Sequence, residues 1–113
     1  MFSHEKFEAY QLSLEYWESA LKLLNEIPSG NSVIRDQLER AASSIALNLA
    51  EGCGRVSTDD RKKFYTIARG SAMECAALAD LITRLEPMLS DKAALSKKKL
   101  LSIVRILSTI ILK

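Results

Sequence analysis

Arg40, Ser44, Asn48 and Glu51 are the polar side chains of this 113-residue chain whose types and spacing come nearest to a chemical site. On a helix, at about 100° per residue, they fall within roughly 80° of one another and form one polar stripe. Such a stripe can fix helix register as a half-buried network, with Arg40 and Glu51 balancing charge and Asn48 bonding a neighbouring helix or loop backbone. It can also line a small-molecule or catalytic pocket, but that needs a nucleophile, a base or a metal as well. His4 is the only histidine. A Ser-His-Asp triad would have to use it, and there is no nucleophile elbow. The Glu-x-x-His pairs of di-iron bundles are missing. Cys53 and Cys75 form no CxxC pair and, even with His4, supply too few ligands for a metal cage. They read as free thiols, and Cys53 falls at a helix C-terminus, where the dipole disfavours thiolate. Glu51 and Glu74 could meet as a carboxylate pair across helices, although such pairs in a bundle more often bond Arg or backbone. Gly52-Cys53-Gly54 follows a helix rather than a strand, so it is no phosphate loop. The stripe therefore reads as structural, and the expectation is a non-enzyme with no metal, cofactor or small-molecule substrate.

The charges point elsewhere. Net charge is +2, but residues 1–30 carry five Glu and two Lys, whereas residues 31–113 carry fourteen bases and nine acids. From Lys92 onward there are six bases and no acid. Arg55, Arg61, Lys62, Lys63 and Arg69 cluster around the start of one helix, and Lys97, Lys98 and Lys99 lie on another. These residues read either as a solvated face or as a surface for nucleic-acid phosphates. The N-terminal residues Met1 to Glu8 are charged and lack the apolar run of a signal peptide. The apolar segment Leu100 to Leu112 is interrupted by Arg105 and too short to span a bilayer. A cytoplasmic protein without membrane contact is expected.

Four helical segments position these residues. The first, about His4 to Ile27, carries Phe7, Tyr10, Leu14, Trp17, Leu21 and Leu24 in alternating steps of three and four, with Ser3 as a possible cap. Pro28-Ser29-Gly30-Asn31 ends it. The second, about Ser32 to Glu51, turns Ile34, Leu38, Ala41, Ala42, Ile45 and Leu49 inward, with Ser32 as cap and Gly52 and Gly54 as a left-handed stop. Leu47 points to its polar side, which suggests a second buried face, most simply against another subunit. The third, about Thr58 to Leu85, opens on Thr58-Asp59-Asp60, with Thr58 as cap and two acids in the first turn, and carries Phe64, Ala68, Ser71, Cys75, Leu78, Ile82 and Leu85. Glu86-Pro87 ends it. The fourth, about Asp91 to Leu112, is capped by Ser90 or Asp91 and turns Leu100, Ile103, Val104, Leu107, Ile110 and Ile111 inward, leaving Ile106 and Leu112 off the stripe. Six Gly and Pro residues are too few for a many-turned β fold. Short breaks favour antiparallel neighbours, so residues 1–113 are expected to form a single all-α domain, an antiparallel up-down four-helix bundle.

The run Gln37-x-x-Arg40-Ala41-x-x-Ser44-Ile45-x-x-Asn48-x-Ala50-Glu51-Gly52-x-Gly54-Arg55-x-Ser57 resembles the 23S rRNA intervening-sequence protein family. Phe64, Ile67-Ala68-Arg69-Gly70-Ser71 and Glu74 extend the match, and the aromatic-rich first helix fits it. The sequence departs from the pattern at Ala46, where many members carry Pro. The resemblance implies a four-helix bundle that assembles as a ring-like homopentamer in bacteria. Similar pentameric bundles accompany reverse transcriptases and nucleic acid in diversity-generating retroelements. The resulting expectation is an oligomeric scaffold that binds RNA or DNA through Arg55, Arg61, Lys62, Lys63, Lys97, Lys98 and Lys99. The alternative is a protein-binding or structural module, such as an accessory subunit to a nucleic-acid-binding enzyme.

Overall fold

The computed structural model describes residues 1–113. The chain is all-α, with four long helices, two short 3-10 turns and no strand. Helix α1 is Glu8–Glu26, α2 is Ser32–Cys53, α3 is Thr58–Leu85 and α4 is Ser90–Ile111, while the 3-10 turns are Ser3–Lys6 and Pro87–Leu89. The bundle measures 44 × 21 × 21 Å. Its length is that of α3, since 28 residues rising about 1.5 Å each span about 42 Å.

Side-chain bonds between helices fix how they lie together. Lys92 meets Glu26 at 2.5 Å and Lys99 meets Ser19 at 3.5 Å. Lys97 meets Asp80 at 2.6 Å, and Arg69 meets Ser108 at 2.8 Å. Ser44 meets Ser71 at 2.8 Å, and Cys53 meets Tyr65 at 3.4 Å. Along each pair, residue numbers rise on one helix as they fall on the other. The helices thus follow one another around a four-sided bundle, and the outer seams lie between α1 and α2, α2 and α3, α3 and α4, and α4 and α1.

The core centres on Tyr16, Leu38, Ile45, Leu49, Ile82, Leu100, Ile103 and Leu107, all fully buried. Each buried Leu or Ile contributes about 1.5–3 kcal/mol by leaving water. The inward stripes expected for α2 and α4 are largely those found, although Ile34, Val104, Ile110 and Ile111 are only half-buried. On α3, Ala68, Cys75, Leu78 and Ile82 are buried as expected, joined by Tyr65, Ala72 and Ala79.

Helix α1 differs from expectation. It does not run unbroken from His4, because Phe7 is extended (φ −80°, ψ 118°) and packs its ring on Tyr65 at 5.4 Å. Its buried line is Ala9, Ser13, Tyr16, Ala20, Leu23, Leu24 and Ile27. Of the expected stripe only Leu24 is buried, while Tyr10, Leu14 and Trp17 are half-buried and Leu21 is exposed. The helix meets both α2 and α4, so its innermost line bisects the two neighbours. Small residues fit there, and the aromatic stripe lies on the flank beside α2.

The caps differ as well. Phe7, Asn31 and Leu89 precede α1, α2 and α4 without a side-chain cap bond, so Ser3, Ser32, Ser90 and Asp91 do not serve as caps. Ser57, not Thr58, caps α3, its Oγ accepting from the Asp60 amide at 3.1 Å. Neither Gly52 nor Gly54 is left-handed, since the chain has no positive-φ glycine. Gly52 lies inside α2, where a Cβ would fall 2.6 Å from Tyr65 Cε1. It is needed for the close approach of α3. At the other end of α2, Arg35 Nη1 donates to the carbonyls of Leu24 (3.1 Å) and Ile27 (2.8 Å), closing the end of α1.

Candidate interaction surfaces

The polar stripe lies on the outer seam between α2 and α3. Asn48 Nδ2 donates to the Ser44 carbonyl at 2.8 Å and to Ser44 Oγ at 3.0 Å, and the Ser44 and Ser71 hydroxyls share a hydrogen bond of 2.8 Å. Asn48 therefore bonds its own helix rather than a neighbouring backbone, and the link between helices is made by the two serines. Arg40 does not balance Glu51. Glu51 instead pairs at 2.6 Å with Arg55, four residues on and just past the end of α2. Glu51 and Glu74 do not meet either. Glu51 is level with the start of α3, near Phe64 and Tyr65, while Glu74 lies one turn beyond Ser71 in the other direction. Arg40 and Glu74 thus flank the seam at one level, and neither side chain has an ion-pair or hydrogen-bond partner within the chain.

This face is rich in exposed apolar groups. Leu47 is 67% exposed, Ile67 50% and Leu81 52%, with Val33 and Leu85 also exposed. Val33, Ile67, Leu81 and Leu85 lie on the α2/α3 side by helical position, whereas Leu47 points straight out from α2 beside Phe2, Ser3 and His4. Leu47 points where the sequence placed it, away from the core.

Several of the basic candidates are occupied. Arg55 pairs with Glu51, and its guanidinium carbon lies 4.6 Å from the Phe64 ring centroid. Arg61 Nε donates to the Arg55 carbonyl at 2.7 Å, which helps close the α2–α3 turn. Lys63 is 3.6 Å from Asp60, and Lys97 is 2.6 Å from Asp80. Lys97, Lys98 and Lys99 do not make one patch. Consecutive residues diverge by about 100°, so Lys97 leans on α3, Lys98 borders the same side farther out, and Lys99 leans on Ser19 of α1.

A different basic grouping emerges on the α3/α4 side. Lys62, Arg69 and Arg84 of α3 and Lys97, Lys98 and Arg105 of α4 turn to this side by helical position. Asp80 is the one acid on the same side between Lys62 and Arg84. The six bases run along roughly 33 Å. Between them lies a groove of about 280 Å³ lined by Met73, Ala76, Ala94, Leu101 and Val104, among others. Arg84 and Arg105 were missed in the sequence because each stands alone there. The available signal was the seven-residue step from Lys62 to Arg69 and from Lys98 to Arg105, two turns along one face.

The remaining reactive groups are packed. Burial pushes the Cys75 thiol up to about 11, against a weaker opposing effect of its hydrogen bond with Tyr16. Burial also raises the Tyr16 and Tyr65 hydroxyls far above their usual range, with Cys75 and Cys53 respectively adding to it. His4 stacks on Phe2 at 5.8 Å and meets Tyr10 edge-on at 4.7 Å. No three His, Cys, Asp or Glu side chains gather as a metal set, and no helix is long and apolar enough to cross a membrane.

The 23S rRNA-intervening sequence protein family matches residues 5–109. Among solved structures, a protein of unknown function from the S23 ribosomal protein family of Bacteroides thetaiotaomicron VPI-5482 aligns with a TM-score of 0.82 at 24% identity. The alignment covers 91% of this chain and 97% of that one. At that identity it bears on the fold alone. No curated protein matches the sequence. With the family match spanning nearly the whole chain, the protein belongs to the 23S rRNA-intervening sequence protein family.

Proposed function

We propose that this chain is a non-enzymatic protomer of a cytoplasmic homo-oligomer, a pentamer on the family resemblance, that binds RNA or DNA phosphates. In this reading each protomer is an antiparallel up-and-down bundle. The observation that carries the nucleic-acid contact is the α3/α4 face, where Lys62, Arg84, Lys98 and Arg105 have no side-chain partner, Lys97 holds the one acid, Asp80, and Arg69 bonds Ser108. A basic strip of this length suits a phosphate backbone, and its repetition around an oligomer would multiply a weak interaction into a strong one. The seven positions suggested by the sequence contribute unequally: Lys62 and Lys98 belong to the strip without a partner, Lys97 lies in it paired with Asp80, and Arg55, Arg61, Lys63 and Lys99 serve local contacts elsewhere.

A salt-titrated binding assay with short RNA and DNA duplexes tests this. Binding at low salt that weakens steeply as salt rises is the expected result, and no binding at low salt refutes the reading. One observation favours a second reading, a protein-binding module such as an accessory subunit to a nucleic-acid enzyme. The apolar groove through Met73 and Leu101 divides the basic strip, and such a groove suits a partner helix.

A further inference from the structure

Between α1 and α4, apart from the polar stripe and the basic strip, lies a groove of about 270 Å³. Leu23 and Ser96, both buried, form its floor. Lys22, Lys92 and Lys99 surround it, and Glu26 is the one carboxylate among its lining residues. Glu26 meets Lys92 and Ser19 meets Lys99, so Lys22 stands level with Leu95 and Ser96, between the other two lysines. Lys92 and Lys99 are two turns apart on one side of α4, about 10 Å, which their long stems can bridge. Three ammonium groups thus bracket one groove from two helices.

These cations are poorly satisfied within the chain. Lys22 takes part in none of its four ion pairs. Lys99 has only Ser19, at 3.5 Å, beyond the usual range of such a bond. Lys92 is held by Glu26, but it stands in the first turn of α4, where the helix dipole disfavours a cation and favours an anion. Three lysines against one carboxylate leave the groove at +2. A phosphate monoester, at about −1.5 to −2 near neutral pH, matches that charge, whereas a single carboxylate does not. Lysine binds phosphate as a point charge and needs no fixed fork to do so.

The other polar atoms of the groove are acceptors. The Ser96 hydroxyl donates to the Ala93 carbonyl at 2.7 Å and the Ser19 hydroxyl to the Glu15 carbonyl at 3.3 Å, so each oxygen is left to accept, as the Glu26 carboxylate does. Such atoms suit the hydroxyls of a ligand, and Leu23 and the exposed Leu95 suit its carbons. The volume lies below the roughly 300–1,000 Å³ of drug-sized pockets, so the occupant is small. We propose that this groove binds a small hydroxylated phosphate monoester, with Lys22, Lys92 and Lys99 on the phosphate and Ser96 and Glu26 accepting from the hydroxyls. The molecule is a ligand, not a substrate. The site goes beyond the nucleic-acid contact proposed above and does not depend on it, because Lys22 and Lys99 lie outside the α3/α4 strip.

Calorimetric titration with glycerol 3-phosphate, inorganic phosphate and glycerol tests the site. Glycerol 3-phosphate should saturate one site per chain with a Kd below about 1 mM, inorganic phosphate should bind more weakly, and glycerol should not bind. Lys22→Met and Lys99→Met keep good helix formers at their positions. Each should weaken glycerol 3-phosphate binding about tenfold or more, with helicity and the salt slope of duplex binding unchanged. Lys6→Met removes the same charge outside the groove and should change neither kind of binding. The proposal fails if glycerol 3-phosphate does not saturate, if inorganic phosphate binds as tightly, or if Lys6→Met weakens binding as much as Lys22→Met does. It also fails if Lys22→Met lowers the salt slope, since the groove would then belong to the nucleic-acid surface. A chain that binds glycerol 3-phosphate at this groove and no duplex keeps the site and refutes the nucleic-acid reading.

Discussion

A methyl group at position 52 would sit 2.6 and 2.9 Å from two carbons of the Tyr65 ring and 3.1 Å from Phe64 Cβ. The ring is buried and its hydroxyl engages Cys53, so it has little room to yield. Gly52→Ala should therefore destabilise the fold by about 1–3 kcal/mol, as overpacking does in other cores. A shifted denaturation midpoint at unchanged m-value would show it, and an unshifted midpoint would mean that α3 gives way freely. The sequence marked Gly52 as special for a different reason, chain reversal, because Gly-x-Gly at a helix end usually signals a left-handed stop. What a glycine is small for depends on the opposing helix, and no local pattern reveals that. The same holds for Glu51. Its two expected partners were Arg40 and Glu74, but Arg55 is reached with no tertiary constraint at all.

Helix α3 was legible almost to the residue, since Ser57-Thr58-Asp59-Asp60 and Glu86-Pro87 mark its ends with strong local chemistry. Only the identity of the cap was misread. Both hydroxyl residues can accept an amide bond, and the choice depends on which one stays extended. Ser57 does, at ψ 149°. Ser57→Ala should cost about 1 kcal/mol, and Thr58→Ala much less. Equal losses in thermal unfolding of the two variants would reject this assignment. Helix α1 was harder to read. Its period correctly gave a helix, but period alone does not separate the line that faces the bundle centre from a flank that carries equally large side chains. Ala9, Ser13 and Ala20 occupy the centre because helices approach closely there. The conspicuous aromatics are left for a seam.

Across the whole molecule, the four-helix architecture follows from hydrophobic period and three short breaks, whereas the functional surfaces depend on how faces combine. Lys97, Lys98 and Lys99 look like one patch in the sequence, but on the bundle Lys99 turns to α1 and parts from the other two. Lys62 and Arg105 are 43 positions apart and share a face. If that face carries phosphates, replacing Lys62, Lys98 and Arg105 by Gln should reduce the salt slope of duplex binding. The expected change is about 0.9 log units per log unit of salt for each phosphate no longer neutralised. Replacing Arg55 and Lys63 should change it far less, because Glu51 and Asp60 already hold them. Equal reductions in slope for the two sets would place the binding surface at the α2–α3 turn. The clasp of Arg35 on Leu24 and Ile27 has a consequence in time. It joins groups only eleven and eight positions apart, so closing it costs little chain entropy. The first helical hairpin can thus lock before α3 and α4 have been synthesised, and later helices dock onto a formed template. Arg35→Met should slow refolding and leave the unfolding rate nearly unchanged, as expected of an interaction made before the barrier. A stopped-flow experiment in which only unfolding accelerates would instead make the clasp one of the last interactions to form.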